Sequence, residues 1–116
     1  MEAGVIGAGD LDRRIRFRRL NPSDDGISQV GTWEDLGSPV WARKRDVSDA
    51  EKAAAGSASA ATVARFVVRF SSFSQGIAPG DAILIDGLHY DITGRKEIER
   101  RAFLEFTATA RMDGAP

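Results

Sequence analysis

The 116-residue sequence predicts an all-β protein, a small antiparallel β-barrel or sandwich of about six or seven strands with one Ala-rich helical or disordered insertion. Three observations carry this expectation. Leu11–Leu20 and Thr62–Ser71 alternate apolar and basic residues with the two-residue period of a strand that has one wet face. Gly76–Gly94, GIAPGDAILIDGLHYDITG, reads as a compact two-strand unit. No long segment carries the 3.6-residue period that helical crossovers between parallel strands would need.

Residues 1–9 are small and unpatterned and read as a flexible arm. In LDRRIRFRRL, Leu11, Ile15 and Phe17 share one face and Arg14, Arg16 and Arg18 the other. Asn21–Gly26 is a turn cluster. Trp33–Leu36 follows, and Val40–Val47 reads as a separate strand opened by Pro39. Ser48–Ala61 breaks the β pattern: Ser48 and Glu51 have capping-box spacing and the alanines favour helix. Gly56 and the serines work against that helix, so one or two turns followed by a loop are expected. Thr62–Ser71 places Phe66, Val68 and Phe70 inward and Arg65 and Arg69 outward. Pro79-Gly80-Asp81 is a turn, Ala82–Asp86 a short strand, Asp86-Gly87 the reversal and His89–Thr93 the return. Glu97–Arg101 reads as a charged turn, and Ala102–Met112 closes the fold with Leu104 and Phe106 inward.

Composition bounds the function. A chain with 42% hydrophobic and 28% charged residues suits one globular domain spanning residues 1–116. No apolar run approaches the roughly 18 residues of a membrane span, and the N-terminus lacks the pattern of a signal peptide, so an intracellular origin without membrane contact is expected. The absence of cysteine removes disulfides and thiolate metal sites. Sixteen basic residues against seventeen acidic ones leave a net charge of −1, so any nucleic-acid contact must come from a local patch.

Catalytic constellations are weak. His89 stands near Asp86 and Asp91, but no second histidine or cysteine completes a metal site, and it reads as a solvent-facing hairpin residue. Ser71, Ser72 and Ser74 flank Phe73 without a base to activate them, and Asp24-Asp25 fits a turn. No enzyme, cofactor or metal is expected. The sharper feature is basic: Arg13, Arg14, Arg16, Arg18 and Arg19 on one strand, with Arg43, Lys44 and Arg45 as a second run. Three readings stay open for it: an exposed strand blunted by charge, a protein interface, or a DNA-backbone contact. Glu97, Glu99 and Glu105 would suit the acidic side of a subunit contact. Of Trp33 and Trp41, one is expected in the core and the other at a subunit boundary.

The order of these pieces resembles the phage head–tail joining family, the head-closure or stopper proteins of long-tailed phages and related prophage or gene-transfer particles. The resemblance runs through Gly9–Ile15, Gly31-Thr32-Trp33, Val40-Trp41-Ala42, the Ala-rich insertion holding Glu51, Phe66–Arg69, Pro79–Ile83, Asp86–Ile92 and Phe103-Leu104-Glu105. It implies a virion protein at the head–tail junction, assembled in the bacterial host cytoplasm. Its subunits would form a homo-oligomeric ring between a portal-bound adaptor above and the tail terminator or tail tube below, and would help retain DNA. It also implies that Ser48–Ala61 faces the central channel, with Ser48, Glu51, Lys52, Ala54, Gly56 and Ser59 as its candidate residues. Arg13, Arg14, Arg16, Arg18, Arg19, Arg43 and Arg45 would then contact a neighbour or, transiently, packaged DNA. A tail terminator or other tail ring, or a small-barrel nucleic-acid-binding module, are the alternatives.

Overall fold

Residues 6–22, 31–54 and 62–111 are described by a computed structural model. Six antiparallel strands among them close into one barrel. They are β1 (Arg13–Pro22), β2 (Gly31–Asp46), β3 (Val63–Arg69), β4 (Ala82–Ile85), β5 (Leu88–Ile98) and β6 (Phe103–Ala110). Helix α1 (Asp49–Ala54) stands between β2 and β3, and α2 (Ser72–Gln75) between β3 and β4. The order around the barrel is β1-β2-β3-β6-β5-β4.

The alternation seen in the sequence fills this barrel. Ile15 and Phe17 from β1, Phe66 and Val68 from β3, Ile83 and Ile85 from β4, Tyr90 and Ile92 from β5, and Leu104 and Phe106 from β6 form one buried cluster. Ala42, Ala64 and Ala108 supply the small positions that let these larger side chains fit a narrow interior. Phe17 meets Phe106 edge-on at 5.3 Å, and Phe66 meets Tyr90 at 5.1 Å.

A second, smaller cluster lies outside the barrel wall. Val67 points away from the interior and is covered by Ile6, Leu11 and Phe103. The sequence reading that frees residues 1–9 is therefore corrected at its boundary: the chain is anchored from Ile6, whose N–H donates to Glu99 at 2.8 Å. A short 3-10 turn, Ala8–Asp10, follows. Residues 1–5 lie outside the described residues.

Three other expectations change. The segments 33–36 and 40–47 belong to one strand, β2, and Pro39 lies in an irregularity within it, where the register against β1 slips between Ile15 and Phe17. The serines flanking Phe73 belong to a capped helix: Ser71 is the N-cap of α2, Ser74 N–H donates to Ser71 Oγ, and Ser71 N–H to Ser74 Oγ, a capping box. The last turn comes two residues later than expected, at Glu99–Ala102, because β5 runs on to Ile98. Its residues Glu99, Arg100 and Arg101 all have left-handed φ.

The β4–β5 reversal matches the sequence reading, with Asp86 at φ 51° and Gly87 at φ 78°, the two positive values of a type I′ turn. Gly37 is a second position where only glycine fits well. Its φ is +62°, and a Cβ there would stand 2.7 Å from the Phe73 ring. Gly37→Ala is expected to destabilise the protein by about 1–2 kcal/mol through the backbone alone, and more once Phe73 is displaced. Gly9→Ala, with open space around it, should stay within about 0.5 kcal/mol of the parent. Urea unfolding of the two variants checks this contrast.

Candidate assembly surface

Most of the basic strand is spoken for inside the molecule. Four of the five β1 arginines hold carboxylates from elsewhere in the chain. Arg13 meets Asp86 at 3.2 Å, while Arg16 and Arg18 converge on Asp35 from β2 at 3.5 and 3.0 Å. Arg16 also donates to Gly37 O and Arg18 to Trp33 O. Arg14 is the exception; its guanidinium lies 4.8 Å from the Trp41 ring centroid.

Arg19 makes the strongest of these contacts. It binds Asp81 with two parallel hydrogen bonds of 2.8 Å and donates a third to Gly76 O. Asp81 is buried and also accepts from Ala78 N–H. Burial pushes the Asp81 carboxyl up, but the hydrogen bonds from Arg19 and Ala78 and the guanidinium charge outweigh it and hold it below the usual carboxylate range. The same hydrogen bonds raise Arg19. Arg19 is thus a structural clamp between β1 and the turn before β4.

Arg43 and Arg45 lie on β2 at the root of the insertion, and neither has an acidic partner among the described residues. Arg45 is exposed and stands opposite Arg65 across the β2–β3 ladder. Arg65 itself pairs with Glu51 of α1. Lys44 is tied to Asp46 at 2.8 Å. Within the insertion, Ser48 caps α1 by accepting from Glu51 N–H at 3.1 Å, and Lys52 lies 3.2 Å from Asp49. Ala54 ends that helix, while Gly56 and Ser59 lie outside the described residues.

The acids proposed as their counterparts are also engaged. Glu105 is buried beside Lys96, Glu97 pairs with Arg101, and Glu99 receives Ile6 N–H.

The tryptophans sit differently from the expectation. Neither belongs to the barrel core. Trp33 is half-buried, edge-on to His89 at 4.6 Å and beneath Arg111. Trp41 is 52% exposed at the lip of a half-open groove of about 350 Å³. Phe17, Val40, Val68 and Phe73 form its apolar walls and Arg69 its outer edge. The groove lies where β2 and β3 part company, since their pairing ends at Arg43–Val67. Sequence periodicity marks Trp41 and Arg69 but not the groove, which exists only because α2 swings Phe73 against Phe17 at 6.0 Å.

His89 corrects a further expectation. It is 1% exposed, not solvent-facing. Its Nε2 lies 3.0 Å from Asp91 Oδ1, and its Nδ1 is buried without a hydrogen-bond partner among the described residues. Asp91 is a carboxylate acceptor, so Nε2 carries the proton and Nδ1 is bare. Burial depresses the imidazole against the opposing pull of Asp91, with Arg111 and Arg18 adding to the depression.

A family model described as phage head completion protein matches residues 6–111 of the sequence. Among solved structures, the chain is similar to the solution structure of protein SF1141 from Shigella flexneri 2a, at 24% identity and a TM-score of 0.73. That match covers 93% of this chain and 99% of the other, and it shows the fold. No curated protein matches.

Two outcomes test these contacts. Asp81→Asn is expected to cost about 2–3 kcal/mol, because a buried charge-assisted pair is lost. Since the folded carboxyl is held low, this contribution is full above the ordinary carboxylate value of 3.8 and fades as pH falls through the folded value. Thermal unfolding at pH 7 and pH 3 should show the parent and variant converging at the lower pH. His89 acts in a separate window. Its folded value is low, so the unfolded chain takes up the proton first, near 6.5, and stability falls as pH drops below that. His89→Gln should flatten the slope of melting temperature between pH 7 and 5.

Proposed function

Because the chain belongs to the phage head completion protein family, we propose that it joins a DNA-filled head to its tail as a ring-forming connector subunit and helps to retain the packaged DNA. The observation that carries this reading is the family match over residues 6–111, which take in the whole barrel. The family is one of structural phage proteins, and a head completion role makes this chain a component of the virion that meets other head or tail proteins.

Within that role, the barrel is the frame. The insertion leaves it between β2 and β3, and α1 carries few large side chains that could join the core. In this reading the segment 48–61 faces the channel, with Ser48, Glu51, Lys52, Ala54, Gly56 and Ser59 along it. Arg43 and Arg45 stand at its root without acidic partners among the described residues, which makes them the better candidates for the DNA backbone. The β1 arginines have most of their charge matched inside the fold, leaving Arg14 as the one available to a neighbour. Guanidinium groups with matched carboxylates have less to gain from phosphate. An adaptor bound to the portal lies above the ring in this reading, and a tail terminator or tail tube below.

The test uses the particle that encodes the chain. Deleting the gene should leave filled heads unjoined to tails, and joined infectious particles from the deletion would overturn the role. Replacing 53–60 with a short glycine linker should yield particles that lose DNA. Normal DNA retention by that variant would remove the channel function from the insertion.

A further inference from the structure

The two most exposed large apolar side chains among the described residues stand on opposite walls of the barrel. Trp41 on β2 is 52% exposed and Leu88, the first residue of β5, is 50% exposed. In the closed order, β2 and β5 are three strands apart in either direction. They also lie at a similar height. Trp41 pairs across the ladder with Arg14, and the adjacent Arg13 reaches Asp86 in the turn that carries Leu88.

We propose that copies of this chain join head to tail through these two features, the Leu88 turn of one copy entering the Trp41 groove of the next. The proposal rests on the ring reading above and names the contact that would build it. The groove has apolar walls and a volume at the small end of the roughly 300–1,000 Å³ range of binding clefts. Its aromatic lip is prearranged, since the Arg14 guanidinium covers one face of Trp41 and Gly37 lets Phe73 approach. The knob is prearranged as well: a two-residue turn with both φ values positive holds Leu88 at a fixed angle.

Charge favours a second copy as the occupant. Asp86 beside Leu88 is exposed, and its bond to Arg13 is a solvent-exposed pair that exchanges at little cost. Arg69 at the groove has no acidic partner among the described residues, and Arg14 adds a second positive charge beside it. Asp12 lies farther along the same lip. An acidic, leucine-bearing turn therefore meets an apolar groove with a basic edge. Because knob and groove are different surfaces on opposite walls, the contact repeats in one direction, and closes as a ring when the rotation per copy allows.

The experiment places p-benzoylphenylalanine at position 88 in protein assembled into particles. An aromatic ketone there keeps the apolar knob and leaves the groove intact. Irradiation should give covalent multimers of this chain, and peptide mapping should place the link in 40–43 or 68–73 of a second copy. A link to a different particle protein, a link between two 88 positions, or no link in particles that contain the protein would each overturn the interface. In parallel, Asp86→Arg and Arg69→Asp should each reduce joined particles by about tenfold or more, and the double variant should restore them. Failure of the double variant to restore joining, when both single variants fold, also overturns it. Failure of the role as a whole reads out separately, as normal joining by the deletion.

Discussion

The shortest ladder in the closed six-strand barrel is the seam between β1 and β4. Only three residue pairs span it, from Arg16–Leu84 to Arg18–Ala82. The bidentate bond from Arg19 to Asp81 sits at the next position along that seam and extends it past the last ladder pair. Asp81 also shapes the turn before β4: its side chain accepts from Ala78 N–H, its own N–H donates to Ala78 O, and its carbonyl accepts from Ile92 N–H. One carboxylate thus orders the turn, sets the start of β4 and holds β1 in place. If the seam opened, β1 and β4 would each present an unpaired edge, the hazard that barrel closure removes.

This constraint explains why charge counts mislead. Five arginines in seven residues look like a binding face, and the alternation of β1 gives no sign of what they face. Folding brings Asp35, Asp81 and Asp86 to them from three separate segments. The carboxylates are 17 to 73 positions away in the chain, beyond any local pattern. The near-zero net charge was the visible trace of this matching, since a chain that neutralises its own arginines needs as many acids. Arg43 and Arg45, whose neighbours on β3 include another arginine, have no such compensation among the described residues.

The barrel itself was legible because its signals are local. Period-two alternation in β1 and β3 and the Asp-Gly reversal each specify geometry within a few residues. What stayed hidden depends on contacts across the fold. Val67 breaks the inward pattern because an anchored N-terminal segment covers it, and His89 is buried because Trp33 from another strand closes over it. The α2 helix was hidden for a different reason: serine at both ends of its capping box is a weaker signal than serine followed by glutamate.

A subunit of the proposed ring would have to be closed against unwanted strand pairing yet open to its own copies. A barrel with spare ladder edges would satisfy the second need at the expense of the first. Here the two demands fall on different chemistry. Backbone hydrogen bonding is largely consumed in the six-strand closure, and the proposed interface leaves association to side chains where β2 and β3 diverge. The groove that results is apolar and small, and a contact of that size gives modest affinity alone. Modest pairwise affinity suits a part that should gather only where an assembling particle already holds its neighbours at high local concentration. Under the proposed interface, the exposure of Trp41 and Leu88 in the single chain is the solvent-facing state of surfaces whose partner assembly would supply.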